Sequence, residues 1–371
     1  MRIGVVGGGQ LGRMLGLAGI PLGFQFRFLD PNPEACAGAA GELLVADYDD
    51  EAALRELAEW ADVVTYEFEN VPVRSAEVLE AAGAPVRPGA EALRVSQDRL
   101  HEKQFVRELG IATAPFRAVE SREDLSAAVQ EIGLPAVLKT RRLGYDGKGQ
   151  AVLRSAADLD DAWDALGGRP LILEGFVEFR RELSVIAVRG VGGAVQVYPV
   201  VQNQHEEGIL RLSRAPTDRI SDICRVGATR IARGVLERLD YVGVVAVELF
   251  ETDDGLIANE MAPRVHNSGH WTIEGAETSQ FENHLRAIAG LPLGSTRVPR
   301  PAGMVNILGT LPETAAVLAL PGAHLHLYGK GERPGRKLGH VTVVDGDAGA
   351  VRQRLDQLLD PPDDPSEPAP A

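Results

Sequence analysis

Val244-Val-Ala-Val-Glu-Leu-Phe-Glu-Thr252, Asp253-Asp-Gly255 and Leu256-Ile-Ala-Asn-Glu-Met-Ala262 follow one another as two strand-forming runs around a turn. A three-residue loop with Gly255 in the left-handed position predicts that Thr252 pairs with Leu256, Phe250 with Ala258 and Glu248 with Glu260. Directly opposed residues have Cβ atoms roughly 4.5–5.5 Å apart, so two glutamates there repel. Either one takes up a proton or a divalent cation holds both, and hard Mg²⁺ prefers carboxylate oxygens together with substrate phosphates. The alternative is a two-residue turn at Asp254-Gly255. That slip sends the two glutamates to opposite faces and leaves an ordinary solvated hairpin.

The rest of the chain sets the frame. Its 371 residues exceed one ordinary core, so two or three domains are expected. A hydrophobic content of 44% with 25% charged residues describes a soluble globular protein. No apolar stretch approaches the roughly 18 residues of a membrane span. The N-terminus starts on a strand-like run without the layout of a signal peptide, and Cys36 and Cys224 lack metal-ligand spacing, which predicts a cytoplasmic protein with reduced thiols. The net charge of −15 (38 basic against 53 acidic residues) argues against nucleic acid as a partner but leaves room for a small phosphorylated ligand.

Strand signals at 2–6, 24–30 and 61–67 alternate with helix signals at 10–19, 51–59 and 73–82, which predicts a doubly wound parallel sheet. Pro85-Val-Arg-Pro-Gly89 punctuates its end, and Ser96 or Asp98 can cap a helix over 100–109. The pattern then turns α+β, with strands at 136–140, 150–154, 171–174, 182–188 and 195–200 and helices at 222–239 and 278–289. A Pro-rich stretch at 298–302 precedes short strands at 304–308 and 340–344. The predicted units are 1–97, 98–293 and 294–355, followed by a disordered acidic, Pro-rich tail over 356–371.

Several motifs carry more than one meaning. Gly7-Gly-Gly-Gln-Leu-Gly12 has G-x-G-x-x-G spacing with Asp30 at the end of the next strand, which fits a nicotinamide dinucleotide. Free amides at such a helix start attract any anion, a phosphorylated substrate included. Lys139-Thr-Arg-Arg-Leu-Gly-Tyr-Asp-Gly-Lys-Gly-Gln150 is either a phosphate-cradling loop or a basic hairpin tip. Leu171-Ile-Leu-Glu-Gly-Phe-Val177 can offer Glu174 and backbone groups to an adenine or ribose edge, or be a buried strand with an acidic end. Asn259-Glu-Met-Ala-Pro-Arg-Val-His-Asn-Ser-Gly-His270 concentrates acid, base, amide and imidazole groups beyond the needs of a structural loop. The basic stretch from Tyr328 to His340 suits a phosphomonoester or a solvated loop.

Together these segments, with Val63-Val-Thr-Tyr-Glu-Phe-Glu-Asn70, resemble the ATP-grasp superfamily and, within it, the 5-(carboxyamino)imidazole ribonucleotide synthases of purine biosynthesis. The resemblance covers all but the tail beyond about residue 350. It implies an ATP-grasp fold of α/β and α+β type, with an N-terminal Rossmann-like (doubly wound) domain and a small, mostly-β C-terminal domain. It also implies a homodimer, and ATP, Mg²⁺, bicarbonate and 5-aminoimidazole ribonucleotide as ligands. Carried over by position, ATP would meet Arg99, Lys139, the loop of Gly144, Tyr145, Asp146, Gly147, Lys148, Gly149 and Gln150, the strand end Glu174, Gly175, Phe176 and Val177, and Glu182, His205, Asn259 and Glu260. Glu248 and Glu260 would hold Mg²⁺. The ribonucleotide would meet Gln10, Glu67, Tyr145, Asp146, Arg264, His266 and Asn267, and its phosphate Lys330, Arg336 and Lys337. Glu248, Glu260, Lys139, Arg264 and His266 form the expected catalytic set, with Arg264 and His266 the candidates for bicarbonate.

The chemistry implied is ATP activation of bicarbonate to carboxyphosphate, then carboxylation of the aminoimidazole amine, with 146–149 closing as a lid. Competing expectations are another ATP-grasp carboxylate–amine ligase, a formate-using transformylase, a nicotinamide-dependent dehydrogenase, or a nucleotide sensor without turnover.

Overall fold

The computed structural model describes residues 1–144 and 148–359. Its first sheet has four parallel strands in the order Glu42–Val45, Gln25–Asp30, Arg2–Val6, Val63–Tyr66. Helices Gln10–Gly19, Glu51–Trp60 and Val73–Ala81 alternate with them. This is the doubly wound domain expected, with an added edge strand at Glu42–Val45 that sequence reading missed. That strand is half-buried and short, so its apolar signal is weak. Of the two predicted caps, Asp98 is the one used, accepting from Leu100 N at 3.0 Å at the start of helix Arg99–Glu108.

A second sheet, antiparallel, runs Phe116–Val119, Leu171–Gly175, Ala136–Thr140, Gln150–Leu153. Helices Arg122–Ile132 and Asp158–Leu166 bury Leu125, Ala128, Leu159 and Ala162 against Val119, Leu138 and Leu173. Among the described residues the third sheet has nine strands, and the C-terminal ones (Ala302–Leu308, Lys337–Val344, Ala323–Leu327) continue it without a break across residue 294. The helix Ala348–Leu359 packs Val351 and Leu355 beneath it and extends past residue 355, where the tail was expected to begin. Residues 360–371 lie outside the described residues.

The strand Gly243–Thr252 shows the two-residue period plainly. Val245, Val247 and Leu249 face helix Asp222–Arg238, packing on Ala228, Ile231 and Val235. Val244 and Ala246 face the other way, in one core with Phe281 and Leu285 and with Leu11 and Leu15 of the N-terminal domain. That shared core seats the first sheet against the third. Glu248 continues the even-numbered face, so it emerges where the apolar packing stops. Among the described residues no helix is long and apolar enough to cross a membrane.

Candidate active site

A cavity of about 700 Å³ opens where the second and third sheets, helix Arg99–Glu108 and the N-terminal loop 67–70 converge. The glutamate hairpin forms one wall. Its pairing is one residue tighter than expected: Thr252 with Gly255, Phe250 with Ile257, Leu249 with Ala258. The turn is therefore the pair Asp253-Asp254, followed by Gly255 at φ +131°, a backbone state that side chains resist. Asn259 is then a supernumerary residue, a bulge, and beyond it Glu248 again stands opposite Glu260. The predicted pairs Thr252–Leu256 and Phe250–Ala258 are incorrect and the glutamate pair is correct, because two one-residue departures cancel.

Each glutamate has its own environment. Glu260 accepts from Arg99 Nη1 at 2.8 Å. Burial works to raise its carboxyl, but the Arg99 charge and hydrogen bond outweigh burial and hold it below the usual range. Glu248 lies 3.3 Å from His266 Nε2. Burial and the facing Glu260 push Glu248 up. Burial and the nearby Arg264 drive His266 down to about 3, so its imidazole is neutral and offers Glu248 little charge. Two opposed carboxylates, one of them held partly protonated, suit a hard divalent cation, which would relieve the repulsion. Among the described residues no third histidine, cysteine or acid completes an all-protein cage. Mg²⁺ ordinarily needs none, taking one or two carboxylates with substrate phosphates.

The opposite wall is cationic around one acid. Lys139 Nζ and Lys103 Nζ each lie 3.1 Å from Glu174 Oε2. Burial opposes its ionisation, yet the two ammonium groups keep Glu174 low. Its other oxygen, Oε1, is buried with no hydrogen-bond partner among the described residues. Burial lowers Lys139 in spite of Glu174. Further along, His205 Nδ1 is 2.9 Å from Glu182 Oε2, and that bond with the Glu248 charge raises the imidazole against its burial. Arg264 is paired with Glu69 through its Nε. Both polar atoms of the Asn267 amide are buried and, among the described residues, unpartnered.

The glycine-rich turn answers the dinucleotide question. Gly8 N donates to Asp30 Oδ2 at 2.7 Å, Gly9 N to Glu67 Oε1 at 2.5 Å and Gly12 N to Glu67 Oε2 at 2.7 Å. The amides expected to be free for an anion are already bonded by two carboxylates of the chain itself. A Cβ at Gly9 would collide with Glu67 Oε1, so glycine is needed there to admit Glu67. Asp30, the expected ribose ligand, also accepts from Tyr48 Oη at 2.8 Å and Asn32 N at 2.9 Å.

The ribonucleotide synthetase preATP-grasp domain family matches residues 1–97, the ATP-grasp domain 104–281, and the phosphoribosylaminoimidazole carboxylase C-terminal domain 302–354. The N5-carboxyaminoimidazole ribonucleotide synthase of Pseudomonas aeruginosa is 54% identical over 358 residues, covering 96% of this chain and 98% of the relative. This chain belongs to the N5-carboxyaminoimidazole ribonucleotide synthase family. The crystal structure of the Thermus thermophilus synthetase superposes with a TM-score of 0.92 at 56% identity, covering 96% and 97% of the two chains. An Aspergillus clavatus synthase solved with ADP and 5-aminoimidazole ribonucleotide superposes at 0.90 with 34% identity, covering 97% of each.

Most residues expected of a family member line the cavity together. Gln10 and Glu67 come from the first domain, and Arg99 and Lys139 stand beside Gly144, Lys148 and Gln150. Glu174, Gly175, Phe176, Val177, Glu182 and His205 follow, then Glu248, Asn259, Glu260, Arg264, His266, Asn267 and Lys337. Lys330 is tied to the rim by donating to Gln10 Oε1. Arg336 is not part of the wall, since its Nη1 donates to Gly331 O at 3.1 Å, closing its own loop. Gly149 backs the loop rather than the cavity, its carbonyl accepting from Thr140 N at 2.8 Å. Tyr145, Asp146 and Gly147 lie outside the described residues, and with them half of the expected lid over 146–149.

Sequence reading missed Glu102, Lys103 and Glu69. Glu102 and Lys103 are almost wholly buried despite their charge. Burial and Glu260 raise Glu102 to about 8, so near neutral pH it retains a proton. The available signal was spacing: 99, 102, 103 and 106 share one helix face, and a charged pair on the buried side of an amphipathic helix needs partners.

Proposed function

We propose that this chain carboxylates the exocyclic amine of 5-aminoimidazole ribonucleotide with bicarbonate at the expense of ATP. The products are N5-carboxyaminoimidazole ribonucleotide, ADP and phosphate. The observation that carries this reading is the pair Glu248–Glu260 facing the Lys139–Glu174–Lys103 cluster across one cavity that also holds Arg264, His266 and the Asn267 amide, which has no partner among the described residues.

Bicarbonate is a poor electrophile, and activation by the γ-phosphate of ATP gives carboxyphosphate, which then delivers its carbon to the amine. Glu248 and Glu260 would hold Mg²⁺, which when bound offsets charge on the phosphates of the nucleotide. Lys139, kept in place by Glu174, and Arg99, kept in place by Glu260, neutralise the anionic oxygens on either side of the transfer. Arg264, anchored by Glu69, points a fixed cation where bicarbonate would sit, and His266 stands neutral beside it, with Nε2 toward Glu248. The Asn267 amide, offering a donor and an acceptor, suits an aminoimidazole edge. Lys330, Gln10 and Lys337 would receive the ribonucleotide phosphate. No side chain needs to become covalently modified. The same reading takes the chain to be a cytoplasmic homodimer.

ADP release measured with bicarbonate, with and without 5-aminoimidazole ribonucleotide, tests the assignment. Release that requires both, with product carbon traced from labelled bicarbonate, is the expected result. Release driven by formate or by a different amine would move the chain to another ATP-grasp reaction.

A further inference from the structure

The register that places Glu260 opposite Glu248 depends on a bulge at Asn259, and that bulge lies on Gly255–Ala262, the edge strand of the nine-stranded sheet. An edge strand has no neighbour on its outer side to hold a bulge in place. Regular pairing continued past Leu249–Ala258 would set Glu248 opposite Asn259 and turn Glu260 to the other face. Something must select the bulged form.

Helix Arg99–Glu108 lies along that open edge and meets it at consecutive points. Lys103 Nζ donates to Asn259 O at 2.8 Å, Glu102 accepts from Met261 N, and Arg99 reaches the Glu260 carboxylate. Just before the bulge, Ala258 N donates to Ala112 O at 2.8 Å. The supernumerary residue is thus bracketed on both sides by groups from outside the sheet. Glu102 and Lys103 are 3% and 2% exposed, so these bonds have no competition from water.

We propose that Glu102 and Lys103 are positioning residues: by binding the Met261 amide and the Asn259 carbonyl they hold the bulge that sets the spacing of the Glu248–Glu260 pair. Neither needs to touch substrate or metal. In a slipped hairpin the two carboxylates would no longer converge, and the affinity for a divalent cation in the nucleotide complex would fall. This inference rests on the functional reading above for the identity of the cation, not for the geometry.

The test uses the full chain with three variants, E102A, E102D and E102Q. Gln reproduces the length and the acceptor; Asp is one methylene short of Met261 N; Ala removes the acceptor. Two readouts are taken apart from turnover: Mn²⁺ affinity in the presence of ADP by titration calorimetry, and hydrogen exchange of the 255–264 segment. E102A and E102D are expected to weaken Mn²⁺ about tenfold, the scale of one lost buried hydrogen bond, and to speed exchange in that segment. E102Q is expected to stay within about threefold of the parent. Should E102A fail to fold, E102D and E102Q decide the matter between them. Parent-like Mn²⁺ affinity and exchange in E102D, or an E102Q as impaired as E102D, overturns the proposal. A parent enzyme that bound Mn²⁺·ADP but ignored bicarbonate would overturn the functional reading alone.

Discussion

Glu67 spans the start of the first helix, taking the amide hydrogens of Gly9 at 2.5 Å and Gly12 at 2.7 Å on its two oxygens. The favourable end of the helix dipole is thus spent on a side chain. A dinucleotide pyrophosphate would have to displace this buried carboxylate. The chain should therefore show no NAD(P)-induced thermal shift or calorimetric heat. Glu67→Ala, which strands two buried amides, should lose about 1–3 kcal/mol of stability in denaturant titration.

Glu248→Gln keeps size and hydrogen bonding while removing half of the carboxylate pair. Circular dichroism should be unchanged. Bicarbonate-dependent ADP release should fall by at least about a hundredfold, the consequence of losing several kcal/mol of metal-held charge stabilisation. Near-parental turnover at saturating Mg²⁺ would remove Glu248 from the metal site.

The two polar atoms of the Asn267 amide are buried and neither bonds to a described residue, a cost of about 1–3 kcal/mol that a bound ligand could relieve. Asn267→Leu should hold or raise the melting temperature of the ligand-free chain. The same variant should raise KM for 5-aminoimidazole ribonucleotide by about tenfold or more, while KM for ATP changes little. A loss of stability with unchanged KM would refute a ligand-facing role.

His284 links the first sheet to the third, with Nε2 2.9 Å from Thr65 Oγ1 and Nδ1 accepting from Val244 N at 3.1 Å. Burial lowers it to about 3. Protonating Nδ1 would set it against the Val244 amide hydrogen. A histidine depressed in the folded state binds fewer protons than in the unfolded chain, so its contribution is complete above about 6.5 and declines as pH falls toward 3. Stability should drop across that window by at most about 1.4 kcal/mol per pH unit from this group. His284→Gln, which does not titrate, should flatten that part of the pH–stability curve.

Much of this was legible from local pattern. The parallel sheet followed from alternating strand and helix signals, and the helix start from Asp98, whose side chain answers an adjacent backbone amide. The residue types around Arg264 and His266 pointed to a site, and the structure sets them along the cavity wall. Strands such as Glu42–Val45 and Val201–Glu206 escaped because half-buried or polar runs look like loops until a neighbouring strand pairs with them. Arg336 was assigned from the charge of its loop and from the resemblance, neither of which shows where the side chain points; that depends on how its own loop folds back.

By itself, the order of residues determined the periodicities, the presence of a turn within Asp253-Asp-Gly255 and the supply of carboxylates and cations, since these depend on neighbours a few positions apart. Only the tertiary structure decided that the hairpin would be tighter by one residue and then bulge at Asn259, restoring the glutamate pair. It alone decided that Glu67 would fill the glycine turn and that Lys103 would share Glu174 with Lys139. Register and hydrogen-bond occupancy are settled by groups 35 to 159 positions away in the chain, and one residue of slip inverts which face a side chain occupies.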